Sequence, residues 1–186
     1  MFTFTHMFVA LALADIFRLP RIPAFLAAFV LDLDIILNFT GLGLPFTHRG
    51  IVHTPIFLAA LTAIWYCGKK AYAKKESKAA LGFGVGSISH VMLDFLTNPG
   101  VMMLFPLPVF FVMHMADYAN LFANAGISLL SIAVVLLYRY KPKMFKEKGW
   151  KQTLIRLAVF VALVVIITYV SGMFETPVID PFVPYY

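Results

Sequence analysis

The chain alternates long apolar runs with short polar breaks, and six of the runs are long enough to form helices. The first covers about residues 3 to 17 and stops at Arg18-Leu19-Pro20-Arg21. The second covers about residues 22 to 38 and stops at Thr40-Gly41-Leu42-Gly43. Both are short for membrane spans. Thr54 ahead of Pro55 reads as an N-cap with proline at the first helical position, so a third helix is expected from there to Lys69 and Lys70. A fourth runs from about residue 79 to 96 and is ended by Thr97-Asn98-Pro99-Gly100, where proline and glycine do not continue a helix. The fifth covers about residues 126 to 140, with a start as early as Met113 compatible with the pattern, and the sixth about residues 153 to 171. Those last two carry almost no polar groups beyond Ser and Thr.

Composition changes the meaning of these runs. With 61% apolar residues, 13% charged residues and a mean hydropathy of +0.87, the chain lies outside the range of soluble domains and is expected to be an integral membrane protein. At roughly 20 residues per span, 186 residues leave room for about five or six spans and no separate soluble domain. The predicted fold is therefore all-α, a polytopic bundle of about six transmembrane helices in a single domain, residues 1 to 186. Residues 1 to 112 form a metal-site half, and residues 113 to 186 supply two further helices and a tail. The N-terminus lacks the basic n-region and cleavage site of a secretory signal, so the first span is expected to be retained. The single cysteine, Cys67, gives neither an internal disulfide nor a zinc-thiolate spacing, so any metal must be held by nitrogen and oxygen.

Basic residues fix an expected orientation, because loops rich in Lys and Arg stay on the cytoplasmic side. Arg18 and Arg21 mark one turn, Lys69, Lys70, Lys74, Lys75 and Lys78 a second, and Arg139, Lys141, Lys143, Lys146, Lys148, Lys151 and Arg156 a third. With these turns inside, both termini are extracytoplasmic, and of the 15 basic residues only Arg49 falls on the outward side. The net charge of +6 is spread over membrane-flanking turns, where topology and anionic headgroups account for it, and nucleic acid is not expected as a partner.

On this topology His6, Asp32, Asp34, His48, His53, His90, Asp94, His114 and Asp117 share the outward half. Ionisable groups at membrane depth are costly and usually functional. His90 and Asp94 are four residues apart, about 40° around a helix, and so point from one face. Gly82, Gly84, Gly86, Ser87 and Ser89 precede them and invite a close helical neighbour. Asp32 and Asp34 are about 200° apart, which aims them at opposite sides of a continuous helix. His48 and His53 lie ahead of the Thr54 cap, with Gly50 suited to a bend between them. His6 has an even alternative as an interfacial side chain, and His114 between two methionines reads as interfacial before it reads as a ligand. Asp117 fits a helix N-terminus, and Arg49 doubles as an ion-pair partner for Asp32 or Asp34. Residues 101 to 115 read as lipid-facing or interfacial packing.

Thr5-His6, Asp32-Leu33-Asp34, His48-Arg49-Gly50 with His53-Thr54, Ser89-His90 with Leu93-Asp94, and Leu104-Phe105-Pro106 occur in that order. Over roughly residues 5 to 108 this ordered set resembles the membrane-bound metal-dependent hydrolases, also described as LexA-binding, inner-membrane-associated hydrolases. Leu31 departs from the proline common before the aspartates, and Val52-His53-Thr54 from the usual Thr-His-Ser. The resemblance implies a helical, metal-dependent membrane hydrolase. The scattered His and Asp are also loosely similar to zinc-dependent phospholipase C enzymes.

A His and Asp shell without cysteine suits zinc, with manganese or iron as rivals. The expected metal ligands are His48, His53, His90 and Asp94, with Asp34 and His6 completing one site or building a second. Asp32 is the expected general base and Arg49 the expected clamp on phosphoryl oxygens. A multi-pass protein of the plasma or inner membrane, with its site outward, would meet lipid headgroups, so a phospholipid or polyprenyl phosphate ester is the expected substrate. Two alternatives remain open: a zinc-dependent lipid amidase, and a non-catalytic metal-binding or transport protein. No His-Glu-x-x-His segment supports intramembrane proteolysis.

Overall fold

The computed structural model describes residues 1–33, 50–70, 74–98, 101–102, 110–113, 115–117, 119–145 and 149–173. Six α-helices dominate them: α1 (Thr3–Phe17), α2 (Arg21–Asp32), α3 (Pro55–Lys70), α4 (Lys74–Phe95), α5 (Leu121–Tyr140) and α6 (Trp150–Met173). Short 3-10 turns occupy Ile51–His53 and Pro142–Phe145. The first helix coincides with its apolar run. α5 starts at Leu121, five residues ahead of the expected position, because the Asn120 side chain caps it by accepting from the Ala123 amide at 2.8 Å. α5 and α6, of 20 and 24 residues, are long and apolar enough to cross a bilayer. Large side chains such as Leu129, Leu136, Ile155, Val159 and Ile166 face outward from them, a surface suited to lipid. α1 and residues Pro55–Gly68 are shorter apolar helices.

Four short strands follow α4 among the described residues. Thr97–Asn98 (β1) pairs in parallel with Ala116–Asp117 (β4), and Val101–Met102 (β2) pairs antiparallel with Phe110–Phe111 (β3). The Met113 and Met115 amides donate to the Phe95 and Leu96 carbonyls at 2.9 and 3.1 Å, closing the end of α4. Backbone groups away from water require such partners, and pairing of this kind is compatible with lipid-facing or interfacial side chains.

α2 and α4 run parallel at a constant offset. Gly82 lies against Pro20, Gly86 against Ala24, and His90 against Ala28. A Cβ on Gly82 would sit 2.8 Å from the Pro20 carbonyl oxygen, and one on Gly86 would collide with the Ala24 carbonyl. Small residues permit this approach, and in a bilayer close van der Waals contact is a main source of helix association. Ala10 and Ala14 of α1 join Ala24 and Ala28 of α2 in the same small-residue seam. On another face of α4, Thr62 of α3 fills the space left at Gly84, and Trp65 meets Phe83 edge-on with centroids 5.6 Å apart.

A polar network ties α5 and α6 to the start of α1. The Thr5 hydroxyl and the Phe2 amide donate to Asn124 Oδ1, each at 2.8 Å. Asn124 Nδ2 donates to the Asn120 carbonyl at 2.7 Å, and Asn120 Nδ2 to the Ser171 carbonyl at 3.2 Å. At the far end of α1, Arg18 adopts the left-handed conformation (φ 56°) that closes the helix, and its guanidinium donates to the Phe145 carbonyl. Arg21 forms a forked pair with Asp15, at 2.6 and 2.9 Å. His6 and Arg18 therefore mark opposite ends of the bundle.

Replacing Gly86 with valine should overpack the α2–α4 seam and lower stability by about 1–3 kcal/mol, whereas Gly68→Ala meets open space and should be close to neutral. Thermal unfolding of both variants in detergent checks the contrast.

Candidate metal centre

The α2–α4 register determines how His90 is held. Two turns beyond Gly82, its Nδ1 lies 2.9 Å from the Ala28 carbonyl oxygen. A carbonyl only accepts, so Nδ1 carries the proton and, in the neutral ring, Nε2 is left with a lone pair. Metal-binding histidines are oriented in this way by their second nitrogen. Nε2 then faces Asp32 Oδ1 at 3.3 Å, Asp94 Oδ2 at 3.4 Å and His53 Nε2 at 3.2 Å.

Each of these neighbours has a local reason to be there. Asp32 ends α2 one turn after Ala28, so the helix face that offers the carbonyl also offers the carboxylate. Asp94 follows His90 by one turn of α4, as the i, i+4 spacing requires. His53 closes the Ile51–His53 turn, its amide donating to the Gly50 carbonyl at 3.0 Å, while the Thr54 hydroxyl bonds back to the Ile51 carbonyl. Its ring meets His90 edge-on with centroids 5.0 Å apart, and its Nε2 lies 3.8 Å from Asp94 Oδ2. His6, in the first turns of α1, stacks on His90 with centroids 3.8 Å apart. Its Nε2 lies 3.3 Å from Asp94 Oδ1, which the Met1 amino group also approaches, at 3.2 Å.

These separations have the dimensions of a coordination shell. Ligand atoms about 2.0–2.2 Å from a tetrahedral ion stand roughly 3.3–3.6 Å from one another. Two sets of donor atoms converge within 4.8 Å, His6 with His90 and Asp94, and Asp32 with His53 and His90. Both can hold a metal ion. They share His90, whose single available lone pair serves one ion at a time. The three histidines and Asp94 are buried, with Asp32 about 10% exposed. His6 Nδ1 is buried with no hydrogen-bond partner among the described residues. Buried carboxylates without compensating charge are costly, and a cation held among these donor atoms, like a proton on His90 Nε2 or the Met1 amino group beside Asp94, offsets that cost.

The structure thus brings together five of the residues singled out from sequence: His6, Asp32, His53, His90 and Asp94. Asp34, His48, Arg49 and His114 lie outside the described residues. Asp32, expected as a base, stands among the donor atoms. His6 is buried in the cluster and not at a surface. Asp117 belongs to neither set; it sits in β4, and its carboxylate accepts from the Ala119 amide at 3.4 Å. Sequence reasoning passed over Asn120 and Asn124, which secure the turn of α1 carrying His6. Their four-residue spacing within an apolar stretch was the available signal.

Residues 1–175, which include all six helices, match the YdjM inner membrane protein family, and the chain belongs to that family. No curated protein and no solved structure matches it.

Protein purified without chelator should retain a divalent metal, and His90→Ala, which removes the donor common to both sets, should lower the retained amount at least tenfold. Imidazole ligands must be deprotonated, so acidification below about pH 6.5 should release the ion progressively. Elemental analysis across pH checks both outcomes; equal metal in wild type and variant would refute the centre.

Proposed function

We propose that this member of the YdjM inner membrane protein family is a metal-dependent hydrolase that cleaves a phosphoester of a membrane lipid or polyprenyl phosphate. The observation that carries the reading is the buried His90 ring, its Nδ1 held by the Ala28 carbonyl and its Nε2 faced by Asp32, His53 and Asp94. Zinc fits this nitrogen and oxygen set best, with manganese or iron as substitutes; magnesium and calcium favour shells made wholly of oxygen.

The reaction follows from the chemistry of the residues. A bound zinc ion supplies Lewis acidity and brings the pKa of water to about 7. Asp32 is the base in this reading: at about 10% exposure against 1% for Asp94, it is the carboxylate that water can reach, and it accepts the proton as water attacks phosphorus and returns it to the lipid alkoxide that leaves as the P–O ester bond breaks. Arg49 binds the non-bridging oxygens as their charge grows, using its planar fork of donors. In this reading His48, outside the described residues, is a ligand with His53, His90 and Asp94, and Asp34, also outside them, joins His6 in completing the site or building a second. The apolar walls of α1, α2 and α4 limit competing water and strengthen each of these interactions.

The protein acts as a multi-pass protein with six spans, the basic turns cytoplasmic and the centre at the extracytoplasmic interface. The site then meets lipid headgroups directly, and membrane lipid is both the surroundings and the source of substrate.

Arg49→Ala should lower kcat/KM for phosphate release from lipid by roughly 10²-fold, with Arg49→Lys restoring only part, because a lysine cannot reproduce the fork. Headgroup and phosphate assays on lipid vesicles read this directly; release of fatty acid instead would indicate the amidase alternative. A reporter fused at residue 74 should be cytoplasmic, and a periplasmic signal would overturn the orientation.

A further inference from the structure

α4 uses one face for the α2 seam and a different one for a groove shared with α1 and α6. Val85, Ile88 and Met92 of α4, with Leu96 just after it, form one wall, opposite Leu13 of α1 and Val161 of α6, around a volume of about 600 Å³. The one polar side chain in the lining, Ser89, turns its hydroxyl back to the Gly86 carbonyl at 2.8 Å. Nothing in this lining is suited to holding ordered water, which needs two to four polar partners.

The dimensions indicate the occupant. Along α4 the wall from Val85 to Leu96 is eleven steps of about 1.5 Å, or roughly 16 Å. One leaflet's hydrocarbon is about half of a ~30 Å core, or about 15 Å. The upper end of the groove, at Leu96 and Met113, is within one helical turn of the level of Asp94, and its lower end on α4, at Val85, lies about three turns beyond the start of the helix at Lys74. We infer that this groove holds one acyl chain of a phospholipid, with the headgroup at the level of the metal centre and the chain end directed toward Val85 and Phe17. This rests on the lipid phosphoesterase reading and narrows it: the substrate is a leaflet phospholipid in preference to a polyprenyl phosphate, whose longer chain would overrun the groove. The acyl chain provides binding remote from the reacting phosphorus, and its length sets how far the headgroup reaches.

Wild-type protein in phosphatidylglycerol and phosphatidylethanolamine vesicles, doped with a phospholipid carrying a diazirine in one acyl chain, tests the inference. After irradiation, peptide mapping should find crosslinks at Val85, Ile88 and Val161 at least fivefold above those at Leu129 and Leu136 on the outer face of α5. Ile88→Trp should reduce them at least fivefold, with Ile88→Phe as the milder filler. Even labelling of the groove and of α5 would overturn the inference. In turnover, the preference for a full-length phospholipid over a short-chain soluble analogue should fall at least tenfold in Ile88→Trp; an unchanged ratio would also overturn it. Groove-centred crosslinking without phosphate release from either lipid would uphold the groove as a lipid site and defeat the hydrolase reading alone.

Discussion

The close approach of α2 and α4 is the constraint on which the candidate centre depends. Glycines at 82 and 86 bring the helices near enough for the His90 imidazole to reach a main-chain carbonyl at Ala28. That acceptor is a backbone atom, so its position follows from helix geometry alone and involves no rotamer. One contact therefore settles both the tautomer and the direction of His90, and the next turn of α2 carries Asp32 into range. A bulkier seam would move the carbonyl and the carboxylate away together.

Around that contact the molecule separates two tasks by depth. Near the His6 end, histidines and carboxylates gather where their desolvation is costly, and the Thr5, Asn120 and Asn124 network holds the same end of α1 with neutral hydrogen bonds. At the Arg18 end, polar contacts are partly exposed, as in the Asp15–Arg21 pair, where screening leaves the pair worth little. Apolar helix faces lie between. The polar chemistry of the described residues is thus concentrated at the two ends, and only one end assembles groups able to bind a cation.

Much of this arrangement was legible in the sequence. The i, i+4 spacing placed His90 and Asp94 on one face, Thr54-Pro55 located the start of α3, and the glycine stripe announced a close neighbour. What it could not specify was which neighbour, because the register between α2 and α4 is a long-range property. For that reason the contact of Asp32 with His90 was not legible in the sequence. The Ala28 carbonyl was silent for another reason: every residue has one, and nothing in an alanine's identity marks it as an acceptor. His6 was ambiguous because its partners arise 84 and 88 residues later in the chain. The pairing after α4 was obscured by composition, since Phe, Met and Val serve a lipid surface and a short ladder equally well.

The order of these elements along the chain has a consequence for biogenesis. The described members of the cluster lie at or before Asp94, whereas Asn120, Asn124 and Ser171, which secure the start of α1, are translated later. At roughly 5–20 residues per second, α5 and α6 emerge several seconds after the cluster is complete. During that interval the nascent bundle carries buried acids and imidazoles behind an unlatched first helix. The latch that holds the His6 end of α1 is therefore the last part of the site's surroundings to be made.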